Sequence, residues 1–526
     1  MKKILWLMLF LGLFLATALP VSAKTILYVP ADDRPVSLKY AVDTVTVSGY
    51  TILVPPREYL AGRSREGDPE RLWDWVLTNA GQADALVLSA DSLVYGGLVD
   101  SRVHEFSSIV LDWRLKRFNQ LKKVCPQTPL YTFSTIMRSP KASGSPVEPA
   151  YYSKYGSTIF LVTALQDKAE TAGLTEGERR QLQAASASLP ADILADWMSR
   201  RSKNYQVNAQ LINLTRTGVI DYFVAGRDDT AVFSQSQKEG RLLKQLASDL
   251  SLHKFASFPG ADQLGMILLA RAYNTLQGTA PVITARYTLG PAGATIPRYE
   301  DQPFGQTVAE HIIAAGGIIG SADQHPDLLL AINTPLSAAT EEAELLDNIP
   351  AVVSSTREFV ATIKNAISAS IPTAVVDVAF ANGADNGLMT ELSNNRLLTR
   401  LSAYSGWNTA SNTLGYAIGQ GLMAKSTNDK ERLELLAVRY LDDWAYQANV
   451  RKEIYREQSD LRDDNVRYLD QPNTELEALV QKKLRNFAGK QLWLEPDSIQ
   501  VTFPWNRLFE IEIALVPPVP DQATNK

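Results

Sequence analysis

Short apolar runs rich in β-branched residues alternate along this chain with segments of helical period. That alternation points to a parallel-sheet α/β architecture, because parallel strands need crossover segments, usually helices, between them. The predicted strands span residues 25–29, 51–54, 85–89, 130–133, 220–225, 282–287, 328–332 and 373–380. Between Pro140 and Arg216 the sequence becomes polar and helical, which predicts a helical insertion at about 140–216 between two strands. From about Lys425 onward, charged segments of helical period are followed by alternating stretches at 499–503 and 509–515. These predict a C-terminal helical cap with a small β element over 425–516, and a Pro-rich polar tail over 517–526.

The cluster Asp32-Asp33-Arg34-Pro35 recurs as Glu300-Asp301-Gln302-Pro303. Each copy precedes a helical segment, a glycine turn (Gly49 or Gly316) and an aspartate leading into an apolar strand (Asp84 or Asp327). The repeat predicts two related doubly wound parallel-sheet modules, over 24–280 with the insertion and over 281–424. Eight strand candidates can also be counted around a single (β/α)8 barrel, which is the alternative. In either arrangement the acidic clusters follow strands and lie at the carboxyl edges of the sheets, where open α/β folds bind ligands.

Residues 1–23 have the form of a secretory signal: Lys2 and Lys3, an apolar run over 4–19, and the small-residue site Val21-Ser22-Ala23. A mature chain beginning at Lys24 and a secreted, periplasmic or envelope location are the expectation, with membrane contact only through this segment if it stays uncleaved. The single cysteine, Cys125, excludes an intramolecular disulfide. Lys and Arg number 52 against 57 Asp and Glu, and the basic residues are scattered, which argues against a nucleic-acid partner. His104, His253, His311 and His325 lack any paired spacing, so zinc has no local signature.

Polar clusters end five predicted strands: Asp32-Asp33-Arg34; Asp91 with Tyr95 and Arg102; Arg138; Arg227-Asp228-Asp229; and the stretch from Asp377 to Asp385-Asn386. Several charged strand ends at one sheet edge make a polar pocket. Paired carboxylates beside an arginine can be held in different protonation states and divide acid and base roles, which suits glycoside hydrolysis. Oxygen ligands from Asp32, Asp33, Asp91 and Asp228 could equally hold Mg²⁺ or Ca²⁺, so a divalent metal stays open although no cofactor is required. In the stretch 404–415, Trp407 offers a stacking face for a sugar ring or is the core tryptophan of a capped helix, and Asn408 and Asn412 share one face of a helix starting there. Arg201, Asn204 and Asn208 form a second amide-rich face, read as a packing or solvent face.

The strings Asp32-Asp33-Arg34-Pro35, Ser89 to Arg102 with its Tyr-Gly-Gly-Leu core, Arg227-Asp228-Asp229, Pro259-Gly260-Ala261-Asp262, Asn382-Gly383-Ala384-Asp385, Gly406-Trp407-Asn408-Thr409 and Phe503-Pro504-Trp505 give the chain a resemblance. It resembles the bacterial family catalogued as domain of unknown function 4127 over almost its whole length, and that family name implies no activity. Gln263 stands where the Pro-Gly-Ala-Asp motif usually continues with Glu.

The expected function is that of a hydrolase acting on a small-molecule or glycan ligand. Asp228, Asp229 and Asp33 are the candidate catalytic residues; Arg34, Asp91, Tyr95, Arg102, Arg138, Arg227, Asp385, Trp407, Asn408 and Asn412 are candidates for binding. A non-catalytic envelope solute- or glycan-binding protein and a metal-dependent phosphoesterase or amidase are the alternatives. A serine hydrolase is disfavoured, since no Gly-x-Ser-x-Gly elbow occurs.

Overall fold

Parallel strands that read as continuous apolar runs are stable only when both faces are covered. The computed structural model, which describes residues 23–516 except 64, 144–146, 252, 322–323, 338, 346 and 458–472, arranges such strands in two sheets. The predicted signal, apart from Ala23, and the predicted tail over 517–526 lie outside the described residues.

The first sheet contains β1 (Thr25–Val29), β2 (Thr51–Leu53), β3 (Ala85–Ser89), β4 (Leu130–Ile136), β5 (Tyr222–Arg227) and β6 (Phe255–Pro259), in the order β2-β1-β3-β4-β5-β6. Then follow β7 (Val282–Tyr287), β8 (Ile318–Ile319), β9 (Leu328–Asn333), β10 (Glu341–Glu342), β11 (Thr373–Asp377), β12 (Phe380–Ala381) and β13 (Ala403–Ser405). The second sheet runs β13-β11-β9-β7-β8, while β10 and β12 form a separate parallel pair. Every pairing in the two large sheets is parallel.

The (β/α)8 alternative is therefore corrected: the strands form two open sheets, not one closed barrel. The sheets share a topology, since in each the first strand lies between the second and the third, and the fourth and fifth follow outward. β6 and β13 escaped the sequence reading, and the predicted strand over 373–380 is interrupted by Val378 and Ala379 into β11 and β12. The repeated acidic cluster follows the first strand of each sheet, but the turn Ala292–Ala294 intervenes in the second copy. Helices Tyr152–Thr171, Glu176–Ser188 and Ala191–Arg216 make up the insertion between β4 and β5. The C-terminal region is mainly helical and ends in an antiparallel pair, β14 (Ile499–Thr502) and β15 (Glu512–Leu515).

Alternation along the strands sends side chains to two layers. Tyr28, Val87, Phe133, Val224 and Phe258 of the first sheet join Ile283, Leu330, Ile332 and Val376 of the second in one hydrophobic core. Helices Leu264–Gln277 and Ala410–Met423 contribute to that core and pack on each other. Their approach depends on glycine. A Cβ built at Gly415 would lie 2.4 Å from the Gln263 side chain, and one at Gly419 would lie 2.5 Å from Met266. Leu27, Leu88 and Phe223 point to the other face of the first sheet, where Leu211 and Ile212 of the insertion cover them.

Gly415→Leu should therefore overpack this contact and cost about 1–3 kcal/mol. Gly81→Ala, whose Cβ would meet nothing within 4 Å, should not. Denaturant melts followed by circular dichroism check both, and equal midpoints would contradict the packing account.

Candidate functional site

In a parallel sheet all carboxyl ends lie at one edge, so loops leaving successive strands meet there. Here the carboxyl edges of both sheets contribute to one cavity of about 270 Å³. From the first sheet come Arg34 after β1, Leu98, Val99 and Arg102 after β3, Arg138 after β4, Asp228 and Asp229 after β5, and Gly260 and Asp262 after β6. From the second come Tyr299 after β7 and Asn408, Thr409 and Asn412 after β13, and the separate β10–β12 pair adds Asn382 after β12. The loop between β14 and β15 adds Trp505, Arg507 and Phe509.

The lining is an ion-pair lattice. Arg102 contacts Asp228 at 2.5 Å and Glu148 at 3.4 Å. Arg138 contacts Asp229 at 2.8 Å and also holds Glu148. Arg34 donates to Asp32 at 2.8 Å and to Asp262 at 2.6 Å, and faces Glu510 at 3.5 Å. Burial alone would lower the Arg34 pKa, but Asp262, Asp32 and Glu510 together raise it well above its ordinary value. Burial pushes Asp228 upward, with Arg102 opposing the shift and Asp229 adding to it. Asp262 is likewise raised by burial against the pull of Arg34. Two carboxyl groups with pKa raised above the ordinary carboxylate value, each in contact with a guanidinium, thus face the cavity.

Backbone strain concentrates here. Among the described residues eight non-glycine residues have positive φ, and Asp229 (29°), Tyr299 (69°), Asn382 (61°) and Asn408 (66°) all line the cavity. Asn and Asp tolerate the left-handed region, but for a bulky tyrosine it costs energy that the surrounding structure must offset, and such outliers cluster at functional sites. Asn382 Oδ1 and Thr409 Oγ1 are buried without a hydrogen-bond partner among the described residues. A ligand with hydroxyl or amide groups would satisfy them.

The structure brings together Arg34, Arg102, Arg138, Asp228, Asp229, Asn408 and Asn412. Asn408 and Asn412 do not share a helical face: Asn408 precedes the helix in left-handed conformation. Both instead clasp the turn after β6. Asn408 Nδ2 donates to Asp262 at 2.9 Å, and Asn412 Oδ1 accepts the Asp262 backbone N–H at 3.1 Å.

The remaining candidates lie elsewhere. Arg227 is buried, with its guanidinium held by Asp301 at 2.7 and 2.8 Å, so it joins the two sheets and does not meet a ligand. Asp33 accepts from Trp505 Nε1 at 2.7 Å and pairs with Arg57 and Arg65, which makes it a support for the cavity wall. Asp91 is wholly buried under Ser134 and Thr135, and Tyr95 stacks on His104. Asp385 caps helix Asn386–Asn394 and shares Asn333 with Asp377. Trp407 is 3% exposed and belongs to the core, with its ring 6.0 Å from that of Phe509, so it offers no face to a sugar. Arg201 and Asn204 grip the end of β4 through the carbonyls of Met137, Arg138 and Thr135, as a packing face would.

The proposed metal set also separates: Asp32, Asp33, Asp91 and Asp228 each serve different partners. Among the described residues no group of three or more His, Cys, Asp or Glu is arranged to hold a metal ion.

Sequence reasoning missed Glu148, Asp262, Tyr299, Asn382, Trp505 and Arg507 as site residues. Asp262 had a signal in its Pro-Gly-Ala-Asp turn, and Trp505 in its Phe-Pro-Trp string. The family described as protein of unknown function (DUF4127) matches residues 26–514. The chain belongs to this family. No curated protein and no solved structure matches it. In this DUF4127 chain the family-like strings Asp-Asp-Arg-Pro, Arg-Asp-Asp, Pro-Gly-Ala-Asp, Asn-Gly-Ala-Asp, Gly-Trp-Asn-Thr and Phe-Pro-Trp all contribute a residue to the one cavity, although they are dispersed along the sequence.

Glu300 of the second acidic cluster anchors the helix that follows Asn408, its Oε1 accepting the Ser411 N–H at 2.6 Å. Burial pushes its pKa up to about 8, against the Ser411 contact. A carboxyl raised on folding contributes stability in full below its unfolded pKa and loses it as pH rises through the folded value. Its contribution should therefore decline from about pH 4.5 to about pH 8. A pH series of Tm should show this decline flattened in Glu300→Gln; identical profiles would contradict the assignment.

Proposed function

We propose that the chain is a hydrolase of a polar glycan, with an N-acylated amino sugar bound in the cavity. The supporting observation is that the partly buried, upward-shifted Asp228 and its neighbour Asp229 open on the same small, densely polar space. At about 270 Å³ the cavity falls just below the range of drug-sized pockets, which suits a single sugar ring. Asn382 Oδ1 and Thr409 Oγ1 accept from its hydroxyls, and the Trp505 edge closes one side.

In the proposed reaction Asp228 gives its proton to the glycosidic oxygen as the bond from that oxygen to the anomeric carbon breaks. The acyl oxygen of the substrate forms the new bond at the anomeric carbon, with Asp229, fixed by Arg138, orienting the acylamino group. Water then attacks the anomeric carbon, returns a proton to Asp228 and releases the acyl oxygen. Arg34 and Arg102 compensate the carboxylate charge through each step. Arg227 and Trp407 take no part, since neither reaches the cavity.

Asp228→Asn should lower turnover of aryl N-acetylglycosaminides by roughly 10²–10⁴-fold while the sugar still raises Tm. Asp229→Asn should lower turnover of the N-acylated substrate more than that of its deacylated analogue. Sugar-dependent stabilisation of the native chain without any turnover would favour the binding-protein reading, which the complete ion pairing of the lining also suits.

A further inference from the structure

A second concavity of about 580 Å³ begins where the cavity ends, and Tyr299 lines both. Asp229 faces the cavity and the next residue, Thr230, faces this groove. The Thr230 N–H donates to the Tyr299 carbonyl at 3.0 Å, so the strained tyrosine is pinned at the junction. One wall is helix Tyr152–Thr171 of the insertion, presenting Phe160 and Leu165; the facing loops present Val232, Phe233 and Ile296. Val232 and Ile296 are 45% and 38% exposed, an apolar surface continuous with a polar site.

Two polar features mark the groove as built for more than hydrocarbon. Glu300 lines it at 3% exposure, and its Oε2 has no hydrogen-bond partner among the described residues. Lys141 also lines it, with its ammonium 5.7 Å from the Phe160 ring.

We propose that this groove holds the aglycone of the substrate, an aryl or acyl group bearing an anionic or carbonyl oxygen, and so makes the enzyme selective for sugars with an apolar acidic leaving portion. The inference rests on the hydrolase reading for the word aglycone, but the groove and its ligand chemistry do not. Val232, Phe233 and Ile296 cover the apolar part, Lys141 meets the negative charge, and Glu300 meets a polar oxygen at the floor. With its pKa pushed up by burial, Glu300 keeps a proton at neutral pH and donates it to that oxygen.

The test uses 8-anilinonaphthalene-1-sulfonate, an aryl anion whose binding is read by fluorescence, titrated into the full chain. One saturable site is expected. Val232→Asp should weaken it roughly tenfold, since both lost apolar contact and like-charge repulsion act there. Lys141→Glu should weaken it as well, and neither exposed-site variant should change Tm. Unaltered affinity in both variants, or no saturable binding, would overturn the groove assignment. Intact and groove-dependent binding in a chain that hydrolyses no glycoside would instead remove the hydrolase reading and leave the groove standing.

Discussion

Arg34 is 5% exposed and can be buried only because three carboxylates surround it, Asp32 beside it in sequence and, from distant parts of the chain, Asp262 after β6 and Glu510 in the β14–β15 loop. The rest of the site depends on this constraint. A buried charge deprived of its partner typically costs 3–5 kcal/mol, so each such pairing fixes where its loops must lie. Arg227 with Asp301 does the same between the two sheets, and Arg439 with Asp442 and Asp443 does it in the cap. Asp443 in turn accepts the Gly406 N–H at 2.7 Å, setting the start of the Trp407–Asn408 turn.

The cap thereby becomes part of the site. The wide π-helix Tyr440–Val450 holds the loop between β14 and β15, with the Tyr446 hydroxyl donating to the Leu508 carbonyl at 2.6 Å and Gln447 to the Phe509 carbonyl at 2.9 Å. That loop places Trp505 beside the guanidinium groups of Arg34 and Arg507, 5.4 and 5.2 Å from its ring centroid. Preorganised charge around a small volume is what the proposed hydrolysis needs, because charge develops there without further reorganisation.

The sheets were legible in the sequence because parallel strands are apolar on both faces and stand out as runs; β1, β3 and β7 were readable to the residue. β6 carries a terminal proline, and β13 is three residues long, so neither stood out. Sequence could place charges at strand ends but not say which way each side chain turns. Arg227 and Asp228 are adjacent, yet one points into Asp301 and the other into the cavity. Trp407 stayed open between a sugar-stacking face and the core for the same reason, since a tryptophan among glycines fits either until the packing on it is known; it is 3% exposed. Tyr299 and Arg507 come from loops without any strand to announce them, and only the fold brings them beside Asp229 and Arg34.

The most direct measurement is a crystal structure of the chain soaked with an N-acetylated amino sugar. The account predicts the sugar between Arg138, Asp228, Asn382 and Thr409, with the acetamido group toward Asp229. Sugar density at another surface, with this cavity holding only solvent, would contradict it.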